Sequence, residues 1–494
     1  MRTILFSIFA FVAGLGCCSC GDDNEPDADL QPAPKVVSST PADGTVDIAA
    51  GEVNITVTYD QEITFLKSPI EQIQISGGSI SGVRALNNDV LITANCPEGK
   101  KKVSITIPTD LVKNKKGVGA AAFTLTFTTK VLAWADPDAA DVFETAATAV
   151  LDMTPGWNLG NTLDCNGAWI GDHQSPSNYE TAWGQPVTDA HLMVAMKEKG
   201  FKGIRVPVTW YHHMDADGNV DKDWMDRVQQ VVNYVLSAGL YCILNVHHDT
   251  GAHDASWLRA DKDVYNQSRE RFEYLWKQIA ERFANYSNLL LFEGYNEMLD
   301  NNNQWNEPKS ISDLQYINSY AQSFVNAVRA TGGKNLSRNL VVNTYAAAHG
   351  KSVLTGLTVP TDPRGDQRHL AVQVHSYNPW NWVNTYNKKW TDACRRDLEA
   401  MFANLNTYVI SKGYPVIIGE YATNGEGEMT INASSTVEEK AEAGRHAADM
   451  NRLCRKYGAA SFYWMSLIDG KDRSEATFKW TMEQVADSII NVYK

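Results

Sequence analysis

The sequence predicts a multidomain protein, an α/β (β/α)8 TIM barrel preceded by a small all-β sandwich, and three observations support this fold class. The chain has 494 residues, enough for a barrel-sized domain and a smaller module. Apolar and polar residues alternate before residue 131, whereas longer helical patterns follow residue 135. In this second region, eight short apolar runs alternate with helical segments, the order expected for a barrel of parallel strands.

The first segment, residues 1–20, is typical of a signal peptide. Arg2 precedes an apolar run over residues 4–12, which is too short to cross a bilayer because a spanning helix needs about 20 residues. Leu15-Gly16-Cys17-Cys18 resembles a bacterial lipobox, and the acidic residues that follow resemble the surface-export pattern of Bacteroidetes lipoproteins. We expect lipidation of Cys18 or Cys20 and a cell-surface position in the outer membrane. Simple secretion is the alternative.

A linker and a strand-rich region come next. Residues 21–35 are acidic and rich in proline, as expected for an extended tether. Residues 36–131 contain runs of period two, which predict half-buried strands, at 53–59, 103–107 and 123–127. The region resembles the bacterial immunoglobulin-like modules of surface proteins. We interpret it as a spacer, with a sugar-binding role as the alternative.

Residues 135–494 supply the predicted barrel. Continuous apolar runs are typical of parallel strands that are buried on both faces. The eight candidate strands are 156–159, 203–207, 242–246, 289–293, 340–343, 370–374, 416–419 and 460–464. One of the intervening helices is predicted over residues 224–236, where the apolar residues form a single stripe before Gly239.

The amino-acid composition limits the kinds of molecule that the protein could bind. The formal net charge of −14 argues against nucleic acid, because phosphates would be repelled. The 14 Trp and 20 Tyr residues favour a partner with flat apolar faces, such as the pyranose rings of a sugar chain. The cysteines beyond residue 20 are scattered and lack CxxC spacing, so neither a disulfide framework nor a zinc site is predicted.

Polar residues stand at the ends of several candidate strands, where a barrel places its active site. Glu297 follows the fourth strand and Glu420 follows the seventh, so both carboxylates are expected at one barrel mouth. Glycoside hydrolysis requires such a pair. We therefore predict Glu297 as the general acid/base and Glu420 as the nucleophile.

Other strand-end residues have natural roles around this pair. Asn296 can hydrogen-bond the sugar 2-hydroxyl, and His375 can bond the acid/base. Arg205 and Tyr377 can orient the nucleophile and keep it ionised, because cations and hydrogen-bond donors lower the pKa of a carboxyl group. Trp464 can form a floor under the ring that is cut.

These residues lie in motifs that resemble glycoside hydrolase family 5, the cellulase family of retaining enzymes. The matching motifs, in chain order, are residues 156–164, 204–210, 291–297, 375–377 and 418–420. The resemblance covers about residues 140–494 and implies a retaining outcome. It also implies substrate-binding roles for His247, with His248 beside it, in addition to the residues already named. Met298 departs from the family pattern, which usually has proline after the catalytic Glu.

Two rival interpretations remain at this stage. His247-His248-Asp249 with His253-Asp254 could form a metal cluster, but adjacent strand residues face opposite ways. A non-catalytic glycan-binding lipoprotein is the second rival, although such a protein would gain nothing from keeping both Glu297 and Glu420. Glu293 lies inside the fourth strand, and we interpret it as a buried partner of Arg205 or of a neighbour.

We expect an endo-acting β-1,4-glucanase that needs no cofactor and no metal and is monomeric. Several Trp residues fall in loops after strands and could line a long groove. The candidate subsite aromatics are Trp183, Trp257, Trp380 and Trp382. Xyloglucan, mixed-linkage glucan and glucomannan remain alternative substrates to cellulose-type glucan.

Overall fold

The computed structural model describes residues 31–65, 68–96, 102–130, 143–423 and 431–494. The chain divides into two compact units, Met1–Val131 and Leu132–Lys494. The predicted signal peptide, Cys18, Cys20 and the boundary between residues 131 and 135 lie outside the described residues.

The first unit consists mainly of short strands. They are β1 (Val36–Thr40), β2 (Thr45–Ile48), β3 (Gly51–Tyr59), β4 (Ile63–Phe65), β5 (Gln74–Ser76), β6 (Ser79–Leu86), β7 (Asp89–Cys96), β8 (Lys102–Ile107), β9 (Val112–Asn114) and β10 (Phe123–Thr129). A one-turn helix, α1 (Pro69–Gln72), precedes β5. Two four-stranded sheets have the orders β1-β3-β7-β6 and β2-β10-β8-β5, and β4 pairs with β9.

Alternation along these strands builds the core of the first unit. In β3, Val53, Ile55 and Val57 are buried, whereas the residues between them are more exposed. Their side chains form one apolar cluster with residues of β7, β8 and β10, so the two sheets share a core. The three predicted strands of this region are present as β3, β8 and β10.

The second unit contains a closed barrel of eight parallel strands in chain order. They are β11 (Gly156–Asn158), β12 (Gly203–Val206), β13 (Tyr241–Asn245), β14 (Leu290–Glu293), β15 (Leu340–Asn343), β16 (Leu370–His375), β17 (Val416–Tyr421) and β18 (Ala460–Trp464). Each coincides with a predicted strand to within two residues at either end. The predicted barrel is therefore confirmed.

Helices surround the barrel. They are α2 (Ala146–Asp152), α3 (Pro176–Glu180), α4 (Ala190–Lys199), α5 (Lys222–Ser237), α6 (Lys262–Arg282), α7 (Leu314–Ala330), α8 (Lys351–Gly356), α9 (Trp382–Thr385), α10 (Asp392–Tyr408), α11 (Val437–Tyr457) and α12 (Glu483–Ile490). The short 3-10 helices are Tyr211–His213, Ile311–Asp313, Gly333–Leu336, Tyr345–Ala347, Gln367–His369, Ile410–Lys412, Gly470–Arg473 and Glu475–Thr477. Within the described residues, no helix combines the length and apolarity that a membrane span requires.

Helix α5 illustrates how the apolar stripe positions an element. All seven apolar residues of the predicted stripe are buried, from Trp224 to Leu236. The helix ends at Ser237, and Gly239 adopts a positive φ of 71° just beyond it. A glycine tolerates this left-handed conformation without steric strain, so the chain can turn directly into β13.

Alternate strand residues face two different environments. Leu244, for example, packs in the large cluster with the surrounding helices, whereas its neighbour Ile243 belongs to a separate small cluster. The strand members of this small cluster, here called the apolar layer, are Ile243, Leu291, Val341, Ala371, Ile417, Ala460 and Phe462. Helix α2 contributes Ala146, Ala149 and Val150 to the same cluster. The interior of the barrel is therefore packed at the amino ends of its strands and contains no pore there.

Candidate active site

A second layer of interior side chains lies nearer the carboxyl ends of six of the strands, and all of its members are polar. This polar layer consists of Asn158, Arg205, Asn245, Glu293, Asn343 and Gln373, all fully buried. Sequence reasoning identified only Arg205 and Glu293 among them. The four amides were detectable, because each stands near the carboxyl end of an otherwise apolar run. A buried amide there must find hydrogen-bond partners.

Arg205 is the centre of the polar layer. Its Nε and Nη2 donate to the two carboxylate oxygens of Glu293 at 2.7 and 2.8 Å. Its Nη1 donates to Glu420 Oε1 at 2.8 Å and to Asn158 Oδ1 at 3.0 Å. Nη2 also donates to Asn296 Oδ1 at 2.7 Å. These contacts engage all five N–H groups of the guanidinium, so its orientation is fixed.

Glu420 has donors on both carboxylate oxygens. Besides Arg205 on Oε1, the Tyr377 hydroxyl donates to Oε2 at 2.9 Å. Burial raises the pKa of the Glu420 carboxyl, and His375, Arg205 and the Tyr377 hydroxyl oppose that rise. The predicted donors are thus in place, although burial outweighs their effect on the pKa of the unliganded site.

Glu297 lies in a different environment. His375 Nδ1 shares a 2.7 Å hydrogen bond with Glu297 Oε1. Burial raises the pKa of Glu297 to about 7, and the negative charge of Glu293 adds to the rise while Arg205 opposes it. Burial also lowers the pKa of His375 to about 4, so this ring is neutral near pH 7. Glu297 therefore holds a proton that it can give away near neutral pH.

The two carboxylates and His375 meet at one point. One carboxylate oxygen of Glu297, one of Glu420 and one ring nitrogen of His375 all lie within 4.8 Å of one another. The three side chains come from the ends of β14, β16 and β17, as the barrel topology predicts. The arrangement places two carboxyl groups close enough to act on a single bond.

Asn296 presents a defined donor beside this pair. Because Arg205 occupies its Oδ1, the Nδ2 group of Asn296 faces the other way, 3.5 Å from His247 Nε2. Asn245 Nδ2 lies 3.0 Å from Nδ1 of His247 and fixes that ring in turn. Burial lowers the pKa of His247 well below its ordinary value, so the ring is neutral.

Trp464 lies at the end of β18 and is only partly buried. Its indole is parallel to the His247 imidazole, with ring centroids 5.9 Å apart. Gly160 borders the same indole, and a Cβ at this position would lie 2.9 Å from its ring atoms. The glycine of the first motif thus leaves room for the aromatic floor that we predicted.

His248 is buried at the edge of the site, next to Asp164 and Trp183. Its Nε2 lies 3.9 Å from Asp164 Oδ2, and its ring centroid lies 5.6 Å from that of Trp183. The donors of Asp164, His247 and His248 lie within 4.8 Å of one another, so these three residues could hold a metal ion. Asp249 does not join them, since its carboxylate accepts from the Trp210 N–H at 2.9 Å.

The prediction that Trp380 and Trp382 are both subsite aromatics is wrong for Trp382. Trp380 is 65% exposed, whereas Trp382 is completely buried. The stretch is not extended: Asn381 has a φ of 56°, and helix α9 begins at Trp382. The indole of Trp382 packs against Trp390 with ring centroids 5.3 Å apart. Trp382 is therefore a core residue, and only Trp380 is available to a ligand.

The remaining loop aromatics also differ in exposure. Trp257 is partly buried, and its Nε1 donates to Asp249 Oδ1 at 2.7 Å. Trp169 and Trp305 are 71% and 49% exposed, and they follow β11 and β14. Three loops at the carboxyl ends of the strands thus present exposed indoles, including that of Trp380.

Comparison with known proteins agrees with this geometry. Residues 163–469 match the family model described as cellulase (glycosyl hydrolase family 5). The chain belongs to glycosyl hydrolase family 5. Among curated family 5 relatives, endoglucanase A of Paenibacillus barcinonensis is 31% identical over 70% of this chain and 89% of its own length. Endoglucanase A of Clostridium longisporum is 32% identical over 71% of this chain and 66% of its own length.

Solved structures of family 5 enzymes show the same similarity. An enzyme from Prevotella bryantii, determined in complex with a xyloglucan tetradecasaccharide, is 48% identical. The match covers 72% of this chain and 99% of that one, with a TM-score of 0.68. A broad-specificity endoglucanase from an uncultured bacterium is 43% identical over 71% of this chain and 96% of its own, with a TM-score of 0.63.

Proposed function

We propose that the protein is an endo-β-1,4-glucanase that retains the anomeric configuration. The observation that carries this proposal is the approach of the Glu297 and Glu420 carboxylate oxygens to within 4.8 Å. Retaining glycosidases hold their two carboxyl groups about 5–5.5 Å apart, whereas inverting enzymes leave about 6.5–9.5 Å for a water molecule. A short separation suits direct attack by one of the two carboxylates, whereas an inverting enzyme needs a wider gap that holds the sugar and an attacking water together.

Charge balance assigns the two roles. Arg205 carries one positive charge and is shared by two carboxylates, Glu293 and Glu420. Among the described residues Glu297 has no such ion pair with Arg205, and burial, with the charge of Glu293 added, raises its pKa to about 7. Glu420 is accordingly the anionic nucleophile, and Glu297 is the acid.

In the first step, a Glu420 oxygen attacks the anomeric carbon and the bond to the leaving oxygen breaks. Glu297 transfers its proton to that oxygen, which departs as a sugar hydroxyl. The Asn296 Nδ2 group, oriented by Arg205, can donate to the 2-hydroxyl as charge develops at the anomeric centre. Trp464 supports the apolar face of the same ring.

In the second step, the Glu297 carboxylate takes a proton from water. The resulting hydroxide oxygen bonds to the anomeric carbon, and the ester bond to Glu420 breaks. Arg205 and Tyr377 donate to Glu420 in the free enzyme and stabilise the carboxylate as it leaves. Two inversions at one carbon give net retention.

The test of the mechanism is the configuration of the first product. We expect proton NMR of a fresh cello-oligosaccharide digest to show the β-anomer first, with the α-anomer appearing later by mutarotation. Early α-anomer would overturn the retaining assignment. A fast fall in the viscosity of soluble glucan, relative to the release of reducing ends, would support endo cleavage.

We infer xyloglucan as a second substrate, besides unbranched β-1,4-glucan. The support is the 48% identity to the Prevotella bryantii enzyme that was determined with a xyloglucan oligosaccharide. Relatives described as broad-specificity endoglucanases point the same way. Initial rates on xyloglucan, mixed-linkage glucan, glucomannan and carboxymethyl cellulose would decide the preference. A rate on xyloglucan below about a hundredth of the best rate would contradict this inference.

We also propose that the enzyme acts at the cell surface, attached through a lipid on Cys18 or Cys20. The support is the lipobox-like sequence and the acidic, Pro-rich linker. The immunoglobulin-like region, residues 36–131, then serves as a spacer between the membrane and the catalytic unit. Radiolabelled palmitate incorporation into wild type and into Cys18→Ser and Cys20→Ser variants would test the anchor, and no incorporation in wild type would refute it.

A further inference from the structure

The segment that carries Glu297 lacks regular secondary structure. Strand β14 ends at Glu293, and the chain from residue 296 to residue 300 is irregular. Two hydrogen bonds from the end of β15 hold this segment. Asn343 Nδ2 donates to the carbonyl of Asn296 at 3.1 Å, and the Ala346 N–H donates to the carbonyl of Met298 at 3.0 Å. The bonded carbonyls immediately precede and follow Glu297.

Asn343 is itself held rigidly. It is fully buried, and its Nδ2 also donates to Glu293 Oε1 at 3.2 Å. Its Oδ1 accepts from Gln373 Nε2 at 3.3 Å, and its backbone carbonyl accepts from the Tyr295 hydroxyl at 3.0 Å. The amide therefore has one orientation, with its Nδ2 directed at both Glu293 and the carbonyl of Asn296.

The turn after β15 delivers the second hydrogen bond. Ala346 and Ala347 have φ values of 53° and 48°, a left-handed conformation that L-residues other than glycine, Asn and Asp rarely adopt. Thr344 stabilises the turn, since its Oγ1 donates to the Ala348 carbonyl at 2.6 Å. In proteins, a residue keeps such a strained backbone conformation only where the surrounding structure imposes it, and these residues are concentrated near functional sites.

Glu297 depends on this support more than Glu420 does. Two donors fix the Glu420 carboxylate, whereas in the described part of the chain the Glu297 carboxyl has one side-chain hydrogen bond, to His375. Met298, the next residue, has no ring to restrain its φ, as a proline would have. The carboxyl position of Glu297 is consequently set by the backbone on either side of it.

We propose that Asn343 is a positioning residue for the general acid/base, acting through the Asn296 carbonyl. The proposal rests on the assignment of Glu297 as the acid. It requires that loss of the Asn343 amide misplace the Glu297 carboxyl without disturbing attack by Glu420. Small displacements of a catalytic group reduce its contribution strongly, since proton transfer needs hydrogen-bond geometry.

The experiment compares two substrates in Asn343→Ala. On cello-oligosaccharide the leaving group needs a proton, and we expect kcat/KM to fall about 10- to 30-fold. On 2,4-dinitrophenyl β-cellobioside the leaving group needs none, and kcat/KM reports bond cleavage alone. There we expect a loss of less than about threefold. Equal losses on both substrates would overturn the proposal.

A matched control separates positioning from packing. Asn335 lies in the 3-10 helix before β15 and is also fully buried. Its Nδ2 donates to the Ala280 carbonyl at 2.8 Å. Asn335→Ala should lower the Tm and leave the ratio of the two kcat/KM values at the wild-type level. If Asn343→Ala does not fold, Asn343→Leu retains the approximate size without a donor or a charge and should show the same substrate dependence.

A third variant distinguishes failure of this proposal from failure of the proposed function. Glu297→Ala must lose far more activity on cello-oligosaccharide than on the dinitrophenyl substrate if Glu297 is the acid. If it does so and Asn343→Ala does not, only the positioning role is wrong. If Glu297→Ala itself shows no substrate dependence, the acid assignment fails.

Discussion

Two layers of side chains fill the barrel, and their chemistry differs although four of the strands, β13 to β16, supply both. The apolar layer and helix α2 close the amino ends of the strands. Nearer the carboxyl ends, the polar layer surrounds Arg205 and, through it, contacts the catalytic Glu420. In β14 the two layers are represented by Leu291 and Glu293, which share a face because the side-chain period of a strand is two.

The comparison shows how a barrel separates stability from function. The apolar layer gains free energy from burial, at about 25 cal/mol per Å² of apolar surface. The polar layer gains far less, because burying charges offsets much of the attraction between them. Each buried polar group in this layer needs a hydrogen-bond partner. The layer therefore contributes positioning more than stability, since Arg205 holds both Glu420 and Asn296 in place. Four substitutions would sharpen or break this division.

The largest expected effect is that of Glu420→Gln. An amide keeps the shape of the side chain but cannot form the glycosyl ester, so we expect kcat on soluble glucan to fall about 10⁴-fold. Binding of the polymer, measured by affinity electrophoresis, should remain within a few-fold of wild type. Residual activity above a tenth of the wild-type value would exclude Glu420 as the nucleophile.

Leu291→Ala tests the opposite layer. Leu291 is completely buried in the apolar layer, so truncation should leave a cavity and lower the free energy of unfolding by about 2–5 kcal/mol. Urea denaturation would measure the loss. The kcat of the folded variant at 25 °C should stay within about twofold of wild type, since Glu293 keeps its bonds to Arg205. A large fall in kcat without loss of stability would break the division between layers.

Glu297→Gln should change how the free energy of unfolding depends on pH. The pKa of Glu297 is raised from 4.5 to about 7 in the folded protein, so the stabilising contribution of its proton is complete below pH 4.5 and is lost as pH rises through 7. Glutamine cannot ionise. Relative to wild type, the free energy of unfolding of the variant should therefore increase by about 2–3 kcal/mol between pH 4.5 and pH 8.

Denaturation of both proteins across that pH range provides the measurement. A stability difference that stays constant from pH 4.5 to 8 would show that the carboxyl titrates alike in the folded and unfolded chain. The raised pKa, and with it the assignment of Glu297 as the protonated partner, would then be withdrawn.

The smallest effect is expected at the loop aromatics. Trp380→Ala removes an exposed ring after β16 and should lower kcat/KM on long cello-oligosaccharides by about tenfold, leaving the Tm unchanged. Trp382→Ala is the matched control, because its ring is buried against Trp390. It should lower the Tm and leave the kinetics of the folded enzyme intact. The reverse pattern would show that the two rings had been assigned to the wrong environments.

The strands and helices could be predicted from the sequence because their signals are local. The eight apolar runs and the stripe of α5 each record the burial of one element, and the barrel follows from their order. The strand-end rule likewise brought Arg205, Glu297 and Glu420 together. The expected contacts of Glu420 with Arg205 and Tyr377, and of Arg205 with Glu293, are present in the structure.

Tertiary structure alone decided the rest, for two physical reasons. Whether an aromatic ring is buried depends on elements distant in sequence, as the contact of Trp382 with His446 of helix α11 shows. The protonation of Glu297 depends on total burial and on the charges of Glu293 and Arg205, which the chain brings near only when the barrel closes. Residue types and their spacing indicate which side chains react. The roles of these side chains depend on an electrostatic environment that exists only in the folded barrel.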